Sequence, residues 1–379
     1  MKVMKMEDQY EKISPIVQKA SELWSSTCEE TKKEKAVKEY RSSVTKRILF
    51  IAICVIAAFI VSGISLGTGS SEFGFIGSYE ILWNHIMGIP QDKLVDYIIC
   101  DERLPPIVMG LVGGAGLAMG GVVMQGIFRN PLADPYTTGI SSGAGFGATL
   151  AVVADITIIG GNYSLVMNAF IFALIPVMLI IAVSKMKGAS PTTMIMAGIA
   201  VMYIFGAFTT LFKLMAEPNA LSALFIWQTG SLGLVTWDEL PLIIAVTVFG
   251  LIYVQLYASK LNVLATGEET AKSMGLNVEG ITNRILLIMT LVVATIVSFT
   301  GLIGFVGLVS PHIARMFVGA DNRYLLPASA AFGGMLLVLS DLIGRTIISP
   351  STLQVGVIMA FIGGPMFLYL ILRQKKVTW

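Results

Sequence analysis

Residues 46–67 read KRILFIAICVIAAFIVSGISLG, an apolar run with no charge after Arg47. A membrane-spanning α-helix needs about 20 consecutive apolar residues, so this run is long enough to cross a bilayer. Nine further apolar segments follow, near 104–126, 139–155, 165–184, 192–212, 239–258, 283–302, 304–318, 325–345 and 354–372. The pattern predicts an all-α, polytopic membrane protein with about ten transmembrane helices per subunit.

The composition of the 379 residues agrees with a membrane protein. The chain is 55% hydrophobic and 13% charged, with a mean hydropathy of +0.78, whereas soluble domains carry about 25% charged residues. This excludes a soluble enzyme or a disordered protein, and a net charge of +2 argues against nucleic-acid binding. The three cysteines, Cys28, Cys54 and Cys100, and the two histidines, His85 and His312, are widely spaced. They form no local metal motif and no disulfide framework.

Residues 1–45 differ from the rest, since they contain nine Lys/Arg and eight Asp/Glu and no apolar run. We expect a charged N-terminal tail with a short amphipathic helix that starts at Ser14-Pro15, and no cleavable signal peptide. Ten spans place both termini on one side of the membrane. From residue 46 onward, thirteen Lys/Arg lie in segments on that side and four on the other. The excess predicts cytoplasmic termini in a multi-pass protein of the cytoplasmic (plasma) membrane.

The sequence shows no motif for chemistry in this chain. It contains neither the G-x-x-x-x-G-K-[ST] phosphate loop nor the G-x-S-x-G nucleophile elbow, so we expect no enzyme activity. Asp341 is the one acidic residue clearly inside a predicted span, and intramembrane carboxylates often serve transport. Arg345 lies four residues later, where a structural ion pair is the alternative. An ion-gradient-driven secondary transporter of a small solute therefore stays open as a second function.

Two connections on the predicted cytoplasmic side stand out. Residues 259–282 contain a short amphipathic helix bracketed by Gly267 and Gly275, and its apolar face needs either a partner or the chain's own loop to cover it. Residues 130–135 read Asn-Pro-Leu-Ala-Asp-Pro at the end of the second span. Two prolines stop a helix and fix a tight turn. Such a turn can close a pore, although a purely structural turn is equally compatible.

Small residues crowd the second span, at Gly113-Gly-Ala-Gly116 and Gly120-Gly121. Small side chains let transmembrane helices approach closely, and they also leave space for a wide path. The sequence alone leaves both interpretations open.

Several motifs occur in a fixed order along the chain. They are Arg103-Leu-Pro-Pro106, the turn at 130–135, Gly139-Ile-Ser-Ser-Gly-Ala-Gly145, Gly267-Glu-Glu269 with Gly275, the stretch GLIGFVGLVSPHIAR at 301–315 and GGPMFLYL at 363–370. With these motifs the chain resembles the FecCD-type permeases of ABC importers, whose relatives carry vitamin B12, ferric siderophores and haem. The resemblance runs from about residue 46 to 376, which we take as the permease domain, and leaves the tail 1–45 outside.

The resemblance implies a type II ABC importer permease fold and a homodimer. The implied partners are two ABC ATPase subunits, which bind ATP and Mg, and an extracytoplasmic substrate-binding protein. This chain would itself hold no cofactor and no metal. The implied cargo is an iron chelate (siderophore or haem) or a corrinoid such as cobalamin, moved by alternating access, and the resemblance does not choose between them.

The resemblance also assigns roles to individual residues of this chain. The implied cytoplasmic gate comprises Asn130, Leu132 and, less directly because Pro191 replaces a small polar residue, Thr192. The implied ATPase-coupling residues are Gly267, Glu268, Glu269 and Gly275. The implied docking residues for the binding protein are Arg103 and Arg345. The family's Arg-Leu-Pro-Arg motif ends in Pro106 here, so one docking arginine is missing.

Overall fold

The computed structural model describes residues 4–69, 73–187, 190–349 and 351–373, and these form helices without any strand. The helices are α1 Met4–Gly67, α2 Phe75–Met87, α3 Lys93–Asp96, α4 Leu104–Phe128, α5 Ile140–Val153, α6 Ser164–Lys187, α7 Pro191–Leu214, α8 Pro218–Thr229, α9 Leu240–Leu256, α10 Ala258–Ala265, α11 Glu268–Ser273, α12 Val278–Thr300, α13 Val306–Val318, α14 Asn322–Thr346 and α15 Val355–Arg373. A π-helical turn, Tyr97–Arg103, precedes α4, and 3₁₀ turns occupy Pro135–Thr138 and Leu232–Leu234. Each of the ten predicted apolar segments falls on one of these helices, which confirms the all-α class.

Six helical stretches among the described residues are long and apolar enough to cross a membrane. They are Val37–Gly67, Lys93–Phe128, Ser164–Met186, Pro191–Leu214, Val278–Thr300 and Asn322–Thr346. The pair α9 and α10 qualifies together but is bent by 58°, and α5, α13 and the apolar part of α15 are shorter. The short α13 is mostly buried, which agrees with a half-span enclosed by neighbouring helices.

The N-terminal segment differs from its prediction. Instead of a short helix that starts at Ser14-Pro15, α1 begins at Met4 and runs to Gly67. Lys and Glu are the most frequent residues before the apolar run and favour helix, and the helix continues through Pro15. The chain divides into compact units of residues 1–49 and 50–379. The predicted amphipathic face, at residues 13–24, and the end of the predicted permease domain, at 374–376, lie outside the described side chains and residues.

Helix α4 is central to the larger unit, where it packs against α14, α13, α12 and α9. Its glycines make these contacts possible. Gly114 faces the main chain of Gly333 in α14, and Gly121 faces the main chain of Gly307 in α13, so closely that a Cβ atom at either position would overlap the backbone opposite. The glycine-rich face therefore serves close helix packing, and of the two interpretations the structure supports this one.

The same helix separates the predicted site residues into two groups. At 25 residues, α4 is about 37 Å long. Arg103 precedes its first turn, while Asn130 follows its last turn. Gly110 lies against Val338 and Gly114 against Gly333, so α14 runs antiparallel to α4. The start of α14, which α10 contacts through Asn262, is therefore at the end of α4 near Asn130. The predicted docking residues and the predicted gate and coupling residues thus lie at opposite ends of the molecule.

Candidate functional site

The predicted coupling segment folds as α10, a bend, and the short helix α11. Gly267 (φ 130°) and Gly275 (φ 79°) bracket α11 with backbone conformations that side chains other than glycine rarely adopt. Ala271 is buried against the chain itself, whereas Glu269 and Met274 are exposed. The predicted helix is therefore confirmed, and only part of its apolar side is covered by its own loop.

Charges on α11 are arranged to stabilise it. Glu268 and Glu269 lie in the first turn, where the helix dipole favours acidic side chains. Lys272 Nζ lies 2.8 Å from Glu268 Oε1, and this contact raises the pKa of the lysine. Glu269 is exposed to solvent. The exposed surface of α11 is thus acidic with one large apolar side chain, Met274.

A polar clamp connects this segment to the core. Asn262 in α10 donates from Nδ2 to Asp321 Oδ1 at 2.8 Å and accepts at Oδ1 from the Asn322 backbone N–H at 2.8 Å. Asp321 is the N-cap of α14 and also binds the Arg323 guanidinium at 2.7 Å. Since α14 packs along α4, the clamp links α10 to the helix pair at the centre of the fold.

Replacing Asp321 with alanine should lower the stability of the protein by about 1–2 kcal/mol, because it removes an N-cap and the clamp. The Arg323 guanidinium and the other donors hold the pKa of Asp321 at about 2. An acid with a depressed folded-state pKa stabilises the fold above its unfolded pKa and loses this contribution as the pH falls. The difference in melting temperature between wild type and variant in detergent should therefore be full at pH 7 and shrink from about pH 4 towards pH 2. Asp238→Ala, at an exposed position, is the control; an equal loss there, or a difference independent of pH, would contradict the clamp.

The predicted gate turn is held by local hydrogen bonds. Asn130 Oδ1 accepts from the Leu132 backbone N–H at 3.0 Å, and Asp134 Oδ1 accepts from the Thr137 N–H at 2.9 Å, where it caps the 3₁₀ turn Pro135–Thr138. Burial raises the pKa of Asp134 to about 6. Leu132 is half-buried, so its side chain is available at the surface of this end. These hydrogen bonds hold the two ends of the turn in a defined backbone conformation.

Thr192, the third predicted gate residue, lies in the first turn of α7 and is exposed. The N-cap of this helix is Ser190, whose hydroxyl accepts from the Thr193 N–H at 3.2 Å. The 3₁₀ turn after the gate packs against α7, with Gly198 close to the Thr137 carbonyl. The 3₁₀ turn that follows the predicted gate turn is thus in direct contact with the helix that carries Thr192.

A contact of the gate turn that sequence reasoning missed involves Tyr136. Its hydroxyl donates to the Ile303 carbonyl at 2.8 Å and accepts from the Ile303 N–H at 2.9 Å. Ile303 lies in the non-helical break between α12 and α13, whose backbone groups lack helical partners. The glycines at 301 and 304 signal the break in the sequence, but no local pattern points to a tyrosine 167 residues away.

At the opposite end of α4 the predicted docking arginines line one polar cavity of about 380 Å³. Arg103 is 7% exposed and donates from Nη1 to the Leu66 carbonyl at 2.6 Å. Arg345 donates from Nε to Asp341 Oδ2 at 2.9 Å, as the i, i+4 spacing predicts, and its Nη2 bonds Ser65 Oγ. Both guanidiniums thus bind the end of α1. Glu102 and Gln354 share the cavity wall, so its charge is mixed.

A second polar surface lies in residues 213–229, at the end of α7 and in α8. Lys213 Nζ donates to Gln228 Oε1 at 2.8 Å, beside a cavity of about 440 Å³ that Ser222 also lines. Thr229 and Gln228 line a neighbouring cavity of about 450 Å³ against α15. Phe225 lines the first cavity and is exposed. Lys213 lies in the last turn of α7, and Ser222, Gln228 and Thr229 lie in α8. We call Lys213, Ser222, Gln228 and Thr229 the polar track.

Comparison with known proteins covers nearly the whole chain. Residues 44–373 match the FecCD transport family. The hemin transport system permease protein of Yersinia pestis is 36% identical over 318 residues, 82% of this chain and 93% of the relative. The cobalamin import system permease protein of Halobacterium salinarum is 39% identical over 292 residues, 76% of each chain.

A solved structure shows the same fold. It is described as a metal-chelate type ABC transporter in an inward-facing conformation, and it is 29% identical to this chain. The two superpose with a TM-score of 0.75 over 85% of this chain and 98% of the other.

Proposed function

The chain belongs to the FecCD transport family and is the membrane permease of an ABC importer, and from that premise we propose that it moves a metal chelate, either an iron chelate or a corrinoid. The relatives that support this cargo transport hemin and cobalamin. Both are bulky molecules, for which a path lined by apolar side chains with few charges is suited. The family works with ATPase subunits and a substrate-binding protein, and nothing supports the gradient-driven alternative.

The observation that carries the mechanism is the exposed surface of α11. A short helix bracketed by two positive-φ glycines, with Glu269 and Met274 uncovered, is suited to insert into another protein. In our proposal it docks on the ATPase, which holds the ATP and Mg. The Asn262–Asp321 clamp then transmits the displacement of the segment to α14 and α4. The segment 259–282 is accordingly the coupling part of a permease domain at 46–376, with the tail 1–45 and both termini in the cytoplasm.

The gate and the path follow from the same proposal. Asn130, Leu132 and Thr192 close the cytoplasmic end, where the turn and α7 share a layer. The polar track supports a homodimer, because exposed Phe225 lies beside Lys213 and Gln228, and a face that mixes aromatic and polar side chains suits a protein partner such as a second copy. The cavity lined by Arg103 and Arg345 faces the binding protein in our proposal. The positive charge of the two arginines would orient a binding protein with acidic residues at its contact surface.

Uptake by purified components tests the function. We expect proteoliposomes with this chain, its ATPase and its binding protein to accumulate hemin or cobalamin only with internal ATP and Mg, and to show no uptake when the ATPase is omitted. An imposed proton or sodium gradient should add nothing, and Asp341→Asn should retain ATP dependence. Gradient-driven accumulation by the chain alone, abolished in Asp341→Asn, would instead establish the secondary transporter.

A further inference from the structure

Three side chains of types that commonly coordinate metal ions lie close together, away from the predicted gate and coupling residues. They are His85 near the end of α2, Asp96 at the end of α3 and Cys100 in the π-helical turn. One ligand atom from each lies within 4.8 Å of the others. Spacing in the sequence predicts no metal motif here, because local motifs hold their ligands within a few residues. The fold supplies the proximity by returning the chain from α2 to α3.

The distances suit a tetrahedral ion. His85 Nδ1 lies 2.8 Å from Asp96 Oδ1, and Cys100 Sγ lies 3.5 Å from the same oxygen. An ion bound at about 2.0–2.3 Å separates its ligand atoms by about 3.3–3.8 Å. Asp96 and Cys100 are four residues apart on consecutive helical turns and thus share a face. Opening the His85–Asp96 contact by about 1 Å or less makes room for the ion.

A neighbouring amide supplies an independent observation. Gln91 Nε2 donates to Asp96 Oδ1 at 2.6 Å and to the Ile81 carbonyl at 3.2 Å, which fixes the orientation of the amide. Its oxygen Oε1 is buried, and no donor among the described residues meets it. A buried acceptor without a partner is costly. A cation beside Asp96 would satisfy this oxygen, directly or through a bound water.

We propose that His85, Asp96 and Cys100 bind a divalent cation of the zinc type. One imidazole nitrogen, one carboxylate oxygen and one thiolate sulfur suit Zn²⁺, Co²⁺ and Ni²⁺, whereas Ca²⁺ and Mg²⁺ require oxygen ligands. The ion replaces the thiol proton, which passes to water, and binds the Nδ1 lone pair while the imidazole proton resides on Nε2. The side chain of His85 is 48% exposed, which gives the ion an entry path to the buried thiol.

The site would brace the end of the molecule that carries the outer cavity. His85 belongs to α2, while Cys100 leads into α4, so the ion ties the two together. The Cys100 carbonyl also accepts from Trp237 Nε1 at 2.8 Å, and Arg103 follows three residues later. Binding therefore orders the segment that positions Arg103 at the cavity wall.

Cobalt binding to the full-length, tag-free chain in detergent tests the site. The background Cys28→Ser/Cys54→Ser leaves Cys100 as the single thiol among the three cysteines of the sequence. We expect this protein to bind one Co²⁺ per chain with a thiolate-to-cobalt charge-transfer band in the near ultraviolet, and Zn²⁺ to displace it. His85→Gln and Cys100→Ser should each weaken binding more than about 100-fold. His312→Gln, a matched histidine control, should leave it unchanged.

The outcomes separate cleanly. Absence of the charge-transfer band in the single-thiol protein overturns the proposal, and this measurement needs no substitution at the site itself. Binding that survives in both His85→Gln and Cys100→Ser also overturns it. If either variant fails to elute as a monodisperse species, the band in the single-thiol protein decides alone. The result is independent of transport, so it leaves the proposed function untouched.

Discussion

Gly121→Ala is expected to destabilise the protein by about 1–3 kcal/mol or more and to prevent recovery of a monodisperse, transport-competent permease. The added methyl group would overlap the main chain of Gly307 at the start of α13. Backbone atoms of a packed helix do not rotate away as a side chain does, so α13 and α4 must separate along their crossing. This loss of stability is opposite in sign to the usual effect of replacing glycine with alanine in a helix, which is stabilising by up to about 1 kcal/mol.

Gly126→Ala in the same helix is the matched control. A Cβ atom at Gly126 meets nothing within 4 Å, so this variant should melt at or above the wild-type temperature. The measurement is thermal unfolding in mild detergent, followed by size-exclusion chromatography. Equal melting temperatures for the two variants would show that α4 and α13 do not cross at the distance described.

The second large effect concerns the coupling of the permease to its ATPase. Glu268→Arg combined with Glu269→Arg should reduce ATP-driven uptake at least about 10-fold and release the ATPase during purification. Four units of charge change on the exposed face of α11, and like charges at an interface cost several kcal/mol. The fold itself should survive, because Ala271 still anchors the helix and the positive-φ glycines on both sides are untouched.

Glu217→Arg is the control for charge reversal outside the coupling segment. Glu217 is exposed at the N-cap of α8, and its reversal should leave ATPase retention and uptake close to wild type. Glu269→Arg alone keeps the Glu268–Lys272 pair and should give an intermediate loss. Undiminished retention in the double variant would remove α11 from the coupling role and leave the family assignment intact.

The helices of this protein were readable from the sequence because membrane spans follow one dominant signal, the length of apolar runs. Gly267 and Gly275 marked the ends of α11 for a similar reason, since a positive φ strongly favours one residue type. The spacing of Asp341 and Arg345 predicted their ion pair because a helix fixes which residues are neighbours.

Contacts between distant segments were not readable in this way. Nothing near Tyr136 signals Ile303, and nothing near Asn262 signals Asp321, since both pairs arise from the way helices assemble. The interior position of Arg103 was hidden for the same reason, because its partner is a carbonyl at the end of α1. The sequence shows the residues of the polar track only as isolated polar positions, such as Ser222 and Gln228 in the apolar helix α8. Which of them share an exposed surface follows only from the structure.

In the gate that we propose, the two hydrogen bonds of Tyr136 with Ile303 determine how large a segment moves when the pore opens. The Tyr136 hydroxyl bonds both the carbonyl and the N–H of Ile303. A shift of the turn alone would break both hydrogen bonds and leave these two backbone groups without partners. Such a loss is avoided when the turn, the break at 301–305 and the first turn of α13 travel as one body. We therefore expect the proposed gate to open by a rigid-body movement of these segments rather than by bending of a loop.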